Sequence, residues 1–548
     1  MSDRREERFN VKILLVLVGV LVASTIVAYF LYTTIESPYN FVAAVIVPTI
    51  AMLIITRRIA RKLGAGAPEI ELDFLYLLVH MLSLSTGKVP NTELIGAVSD
   101  EKMYRKYARY FKKIYLLVKE YGYSLPTACS YVSKEVKEKF LKDFLERFAS
   151  VITVGEDMEA YLEYEFRSHM NLYEYVYGRI IDSLRVLMGT YTAVMTSAVF
   201  IVINFLIFLF FFGGDVSYLI PMFWGIYASI SIIGFFIYKL MPKDPFVNKE
   251  GIALRIYRIL NYSIIAVAPI LFFITVEFNT LSKVINGYVL TLLAGALLII
   301  PGILSKKIES HVYNIDKDFP IFARMYTANL ATIPSLAKAL EPMLIAEFGK
   351  IAKSLRDLHT MLLNNITPSV CFKVFSRRTG SEIVRRGMRL LEDAIKYGAD
   401  MSKVGQYLSE FTAMLLRTRR LRLQVFRTFE SSVIVLHAAG IILMSFTISI
   451  LKLFADFLSR IPTILPFAYP SPALFSTLTG IAFVAYTIIN AVVLTIANGG
   501  LKHTLTYYLG LLTVILGVMA YASTYMIDYM IGGVFEQATA VLTQTPGV

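Results

Sequence analysis

Long apolar runs alternate with amphipathic stretches along the 548-residue chain. A helix needs about 20 apolar residues to cross about 30 Å of hydrocarbon, where no backbone polar group can stay unpaired. Nine runs approach that length: 11–32, 41–55, 189–212, 216–240, 260–276, 289–304, 433–453, 474–497 and 505–531. Two long stretches between them, 56–188 and 305–432, are not membrane and read as helical. In the first, Lys102, Arg105, Lys106, Arg109 and Lys113 recur at helical spacing opposite Met103, Tyr107, Tyr110, Phe111, Ile114, Leu117 and Val118, which predicts one amphipathic helix with a cationic face. In the second, Arg378, Glu382, Arg385, Arg386, Arg389, Glu392 and Asp393 share a face against Ile383, Val384, Met388, Leu391 and Ile395. Neither stretch sustains strand alternation. The expectation is an all-α polytopic membrane protein: two spans in 1–55, a cytoplasmic helical domain in 56–188, four spans in 189–304, a second such domain in 305–432 and three spans in 433–548.

The two helical stretches also resemble each other. Gly155-Glu156-Asp157-Met158, followed by Tyr161-Leu162 and Glu165, is echoed by Gly398-Ala399-Asp400-Met401, followed by Tyr407-Leu408 and Glu410. Pro126 to Cys129 is echoed by Pro368 to Cys371, and the two offsets, 243 and 242 residues, agree. The order of two spans, a helical domain and two spans thus occurs twice, with a ninth helix at the end. Because both domains are expected on one side of the membrane, the repeat is parallel.

Composition removes the soluble alternatives. Apolar residues make up 56% of the chain and charged residues 17%, against about 25% in soluble proteins. The mean hydropathy is +0.60. The net charge of +13 would suggest nucleic acid in a soluble protein, whereas in a membrane protein cytoplasmic loops account for it and no nucleic-acid partner is expected. Arg4, Arg5, Arg8 and Lys12 flank the first run, and Arg57, Arg58, Arg61 and Lys62 follow the second, which puts the N-terminus in the cytoplasm. The last residues, 532–548, contain no Lys or Arg, so the C-terminus is expected outside. The first run has no small-residue cleavage site and reads as a retained helix. Two cysteines, Cys129 and Cys371, fit a reducing compartment and are expected to be separate buried thiols with a packing role.

No residue constellation points to catalysis, a cofactor or a metal. Gly87-Lys88 and Gly349-Lys350 lack the glycine five residues earlier that a phosphate-cradling loop requires, and the six histidines show no ligand spacing. Asn204, His437, Asn490 and Asp528 lie in apolar runs, where hydrogen bonding between helices outweighs a functional reading. Arg417, Arg419, Arg420, Arg422 and Arg427 lead into the seventh span and suggest membrane-surface anchoring or anionic headgroup contact. Glu156, Glu159, Glu163 and Glu174 fall near one helical face, either a hydrated stripe or a docking surface for a basic partner. Candidate partner-binding residues are therefore Lys102, Arg105, Lys106, Arg109, Lys113, Glu156, Glu159, Glu163, Arg378, Arg385, Arg386 and Arg389.

Three glycine motifs occur in order within the first domain: Thr86-Gly87-Lys88-Val89-Pro90, Tyr121-Gly122-Tyr123-Ser124-Leu125, and Gly155-Glu156-Asp157-Met158 with Tyr161-Leu162. The second copy has Ala331-Thr332-Ile333-Pro334 and Asn365 to Pro368 in place of the first two. With the duplicated membrane architecture, the chain resembles the polytopic platform proteins of archaeal type IV pilus-like machines, including the archaellum, related to the F component of bacterial type II secretion. The resemblance implies a non-enzymatic cell-membrane platform without cofactors. Such a platform sits above a hexameric secretion ATPase and couples its motions to extraction of pilin or archaellin subunits from the lipid membrane into a filament, as a monomer or homodimer. The competing reading is a solute transporter or permease, which calls for mid-membrane charges that are scarce here.

Overall fold

The structure, a computed structural model, describes residues 71–530 except 88, 100–101, 213–218, 243, 249–250, 252–286, 346–347, 460–471 and 528. The described residues are helical, with no strand beyond an isolated bridge between Val247 and Ser381. In chain order the helices are α1 Leu72–Ser85, α2 Asn91–Ser99, α3 Lys106–Lys119, α4 Leu125–Ser133, α5 Lys139–Val154, α6 Met158–Phe212 and α7 Leu219–Leu240. There follow α8 Gly287–Thr332, α9 Glu341–Ile345, α10 Ala352–Leu363, α11 Pro368–Thr379, α12 Glu382–Lys396, α13 Met401–Ser459, α14 Pro472–Asn498 and α15 Leu505–Ile527.

Six of these helices, α6, α7, α8, α13, α14 and α15, are long and apolar enough to cross a membrane; they contain the runs at 189–212, 289–304, 433–453 and 474–497, and 219–240 and 505–527 of the runs at 216–240 and 505–531. The runs expected at 11–32, 41–55 and 260–276, the basic flanks of the first two, Asp528 and the tail at 532–548 lie outside the described residues. The domain boundaries expected at 188/189, 304/305 and 432/433 fall inside continuous helices. The 55-residue α6 and 59-residue α13 run from the extramembrane region into the apolar run without interruption, rods of about 80–90 Å at about 1.5 Å per residue.

The internal repeat is visible element by element. Helices α11, α12 and α13 each begin 243 residues after α4, α5 and α6. The backbone repeats with them: Gly155 and Gly398 take φ of +78° and +66°, and Gly122 and its counterpart Asn365 take +68° and +56°. The second glycine turn is thus conserved in shape where the glycine is lost, because asparagine tolerates the left-handed region better than most residues. Pro126 and Pro368 lie in the first turns of α4 and α11, where a missing N–H costs nothing. Cys129 and Cys371, both buried and free, sit in those helices.

Two predicted helices are cut shorter than their patterns. The cationic helix begins at Lys106, after a 3-10 turn at Lys102–Tyr104 and a break at Arg105 with φ of +49°. The break lets Met103 and Tyr104 drop into the core, where Tyr104 Oη lies 2.8 Å from His80 Nδ1. Likewise Arg378 belongs to the end of α11, separated from α12 by Gly380 with φ of +68°.

Between the spans, α8 and α15 pack at backbone distance through four glycines. A Cβ on Gly302 would overlap the Tyr507 backbone, one on Gly295 would lie 2.8 Å from Val514 N, and one on Gly510 would lie 2.6 Å from Ile299 N. Gly517 meets Thr291 and Leu292, so the contacts descend one helix as they climb the other, and the pair is antiparallel. Lipid offers no hydrophobic drive between helices, so association rests on such close van der Waals contact.

Candidate functional site

The two repeats meet along α6 and α13, where a line of polar pairs marks their register. Glu159 accepts from Lys403 Nζ at 2.6 Å, Glu163 accepts from Tyr407 Oη at 3.1 Å, Arg167 Nη1 donates to Glu410 at 3.0 Å, and Arg417 Nη2 donates to Glu174 at 3.2 Å. Each pair is separated by 243 or 244 residues, the offset of the repeat itself. Equivalent positions therefore face each other, which places them on the pseudo-two-fold axis, and the constant offset means that the two helices run parallel. Behind the charges, Phe166 meets Phe411 with ring centroids 6.1 Å apart.

This geometry places the acidic candidates. Glu159, Glu163 and Glu174 face basic or hydroxyl groups of the chain's own second repeat, while Glu156 stands exposed just before α6. A signal for this was present in the sequence. Arg167 and Glu410, and Glu174 and Arg417, are opposite charges at equivalent repeat positions, the pattern expected where a duplicated helix packs against its copy.

On the cationic face, Lys106 Nζ lies 2.9 Å from Glu71 and 2.7 Å from Glu138, Lys113 lies 2.6 Å from Glu135, and Arg105 lies 3.5 Å from Asp73. Burial works against the Lys106 ammonium, and its hydrogen bonds to Glu138 and Glu71 more than compensate, raising its pKa. Arg109 is exposed. In the second domain, Arg378 bonds Asp357, Arg385 bonds Glu382 at 2.5–2.7 Å, and Arg389 lies 3.1 Å from Glu392.

Arg386 is different, being 3% exposed. It reaches out of α12 to Asp73, at the start of α1 in the first domain, at 2.7 Å, while its Nε donates to Glu382 at 2.8 Å and its guanidinium lies 4.7 Å from the Tyr76 ring centroid. The polar face of α12 is thus partly an interior surface. Its Asp393 lies 3.4 Å from His80 Nε2, and α1 is gripped along its length by the second repeat, down to Thr86 Oγ1, which accepts from Asp400 N at 3.0 Å.

A second buried seam anchors the chain after α7. Tyr173 Oη donates to Asp244 at 3.2 Å, Arg419 Nη2 donates to Pro245 O at 3.0 Å, and Asn248 N donates to Gly380 O at 2.8 Å. Arg419 also binds Asp316 at 2.7 Å, and Arg422 lies 3.9 Å from Asp244. Arg419 and Arg422 are therefore structural ion-pair residues and not headgroup contacts. Both are buried because α8, α13 and the segment after α7 converge on them, a convergence that an arginine-rich run cannot reveal.

Within the spans, Tyr191 Oη donates to Asn490 Oδ1 at 2.6 Å, and Asn490 Nδ2 lies 3.2 Å from His437 Nδ1, joining α6, α14 and α13. Asn204 donates to Phe200 O of its own helix. These are the helix-to-helix and local bonds expected of intramembrane polar residues. No group of three or more His, Cys, Asp or Glu able to hold a metal occurs among the described residues.

Residues 77–205, from α1 into the apolar part of α6, match the family "Type II secretion system (T2SS), protein F". The chain is 22% identical over 485 residues to Flagella accessory protein J of Methanocaldococcus jannaschii, covering 82% of this chain and 83% of that one. It is 25% identical over 382 residues to Flagella accessory protein J of Methanococcus voltae, covering 66% of this chain and 68% of the other. No solved structure matches. The duplicated helical domain joined to membrane spans, together with these similarities, supports a multi-pass membrane platform role in filament assembly for a chain that carries a type II secretion system protein F domain and is similar to archaeal flagella accessory proteins.

Proposed function

We propose that the chain couples a cytoplasmic hexameric secretion ATPase to insertion of pilin or archaellin subunits into a growing filament, with its N-terminus and both helical domains in the cytoplasm and its C-terminus outside. One observation carries this reading. Helices α6 and α13 are unbroken from the far ends of the two helical domains to the spans, and they are locked side by side in register. A displacement imposed on the domains is therefore passed to the membrane without a flexible joint within either rod. The chain itself supplies scaffold and leverage, and the nucleotide chemistry belongs to the partner. Of the twelve charged candidates, Arg109 and Glu156 are the exposed positions best placed to meet that partner, since most of the others are committed to bonds within the chain.

Cells lacking the chain are expected to retain subunits in the membrane and to form no filaments. The purified chain in nanodiscs is expected to bind the ATPase, more weakly as salt screens charges over about 8 Å, and to hydrolyse no ATP alone. Filaments in the deletion strain, or no ATPase binding at low salt, would overturn the proposal.

A further inference from the structure

Equivalent surfaces of the two repeats can be compared residue by residue, and one of them is covered in only one repeat. Helix α1 corresponds to the second half of α8. Phe74 packs on Phe144 with ring centroids 5.5 Å apart, and a Cβ on Gly387, the position 243 residues after Phe144, would lie 2.5 Å from the Phe319 ring. Asp73-Phe74 therefore corresponds to Asp318-Phe319, which aligns Tyr76 with Ile321 and His80 with Met325.

Tyr76 and His80 are buried beneath the second repeat, where Tyr76 meets Phe411 with centroids 4.7 Å apart and His80 Nε2 lies 3.4 Å from Asp393. Ile321 and Met325 are instead 59% and 39% exposed. The two polar-tipped side chains are thus inside and their two apolar counterparts outside, the reverse of what contact with water favours. Lipid does not cover them either. Ile321 stands 17 residues beyond the apolar run that ends at 304, roughly 25 Å along the helix. The two-fold relation along the rods would bring α5 and α6 of the first repeat over this face of α8, and its exposure means that they leave it open.

The surface that does the covering also exists in an unused copy. Phe411 of α13 corresponds to Ser168 of α6, which is exposed. Beside it, Tyr164 and Leu172 are 70% and 38% exposed, whereas their equivalents Tyr407 and Leu415 are buried. Leu172 stands 17 residues before the apolar run that begins at 189, the same depth as Ile321, so the two surfaces can meet within one membrane. Charge signs are inverted on both sides. Helix α5 carries Lys139, Asp143 and Glu146 where α12 carries Glu382, Arg386 and Arg389, and exposed Lys317 and Arg324 flank Ile321, while Asp318 lies against Gly349.

We propose that the α8 face around Ile321 and Met325 docks on the α5 and α6 face around Tyr164, Ser168 and Leu172 of a second copy of the chain, the two copies exchanging this contact about a two-fold axis. The contact repeats between chains the docking that joins the repeats within one, and the exchange leaves neither half open. It stands independently of coupling to an ATPase.

The test uses the full chain in nanodiscs. The unaltered chain is expected at two copies per disc, a protein mass of about 124 kDa or twice 61.8 kDa. Ile321→Asp with Met325→Asp, and separately Tyr164→Ser with Leu172→Asp, are each expected to weaken pairing at least about tenfold, as loss of central apolar anchors does. Mixing the two variants is expected to restore a mixed pair, because one of the two contacts then joins two unaltered surfaces. Helical content and thermal midpoint verify each variant. A milder arm serves if either misfolds: in membranes holding two differently tagged copies, Ile321→Cys in one and Ser168→Cys in the other are expected to form a disulfide between copies, and Ser130→Cys in place of Ser168→Cys to form none. A single copy per disc, which would leave the face to another protein or to another segment of the same chain, overturns the inference. So does undiminished pairing in either variant, failure of the mixture to pair, or a disulfide yield no higher with Ser168→Cys than with Ser130→Cys.

Discussion

Arg386→Met tests whether the two helical domains are held together by a buried charge. Arg386 bridges Asp73 of the first repeat and Glu382 of its own helix and stacks on Tyr76. Removing one partner of a buried ion pair typically costs about 3–5 kcal/mol, because the remaining charge is left without compensation. Here the lower end applies. Glu382 keeps Arg385 at 2.5–2.7 Å, and Asp73 is 13% exposed and within 3.5 Å of Arg105. A loss of about 3 kcal/mol corresponds to a fall of about 6–12 °C in the unfolding midpoint of a unit of 150–250 residues. The assay is thermal unfolding of the purified full chain followed by circular dichroism, with Asp73→Asn and the double variant completing a cycle. The expected coupling is at least about 1.5 kcal/mol, and single effects that add within about 0.5 kcal/mol would refute the argument. The effect also has a pH signature. Burial alone would raise the Glu382 carboxyl, but the hydrogen bonds and charges of Arg385 and Arg386 hold it below its ordinary value. A carboxyl depressed on folding adds stability above its unfolded pKa of about 4.3, and that stability is lost as pH falls through the folded value. The gap between wild type and Arg386→Met should therefore be widest at neutral pH and narrow below about pH 4.

Gly302→Leu should destabilise the membrane bundle by about 3 kcal/mol or more, since its side chain would have to displace the Tyr507 backbone, whereas Gly178→Leu, facing open space, should be near neutral; equal midpoints in detergent would contradict the close α8–α15 packing. Cys129, whose thiol burial pushes up to about 12, should resist maleimide at pH 8 until the protein unfolds, and replacing both cysteines with Ala should cost modest stability and spare filament assembly. A disulfide in native protein, or filament loss from a stable double variant, would count against a packing role. A reporter fused after Val548 should be external and tags placed within 102–142 or 377–403 cytoplasmic; a cytoplasmic C-terminus would require an even number of spans.

The sequence by itself determined the features that depend on local composition and spacing. Apolar length reports a span directly, because the bilayer imposes the same requirement on each helix independently of its neighbours. The repeat was legible because equal sequences at equal offsets adopt equal backbones, down to the left-handed turns at Gly155 and Gly398. Pro126 and Pro368, repeated at one offset, likewise both fall in helix first turns, those of α4 and α11. What the tertiary structure alone decided is which polar side chains face inward. Periodicity assigns Glu382, Arg386 and Asp393 to a polar face, yet whether that face meets water or α1 of the other repeat depends on how the domains dock. The same holds for Arg419 and Arg422, buried where α8, α13 and the segment after α7 converge, and for Glu159, whose partner Lys403 lies 244 residues away. Helical periodicity describes one helix at a time, whereas burial of a charge is a property of the several elements that surround it.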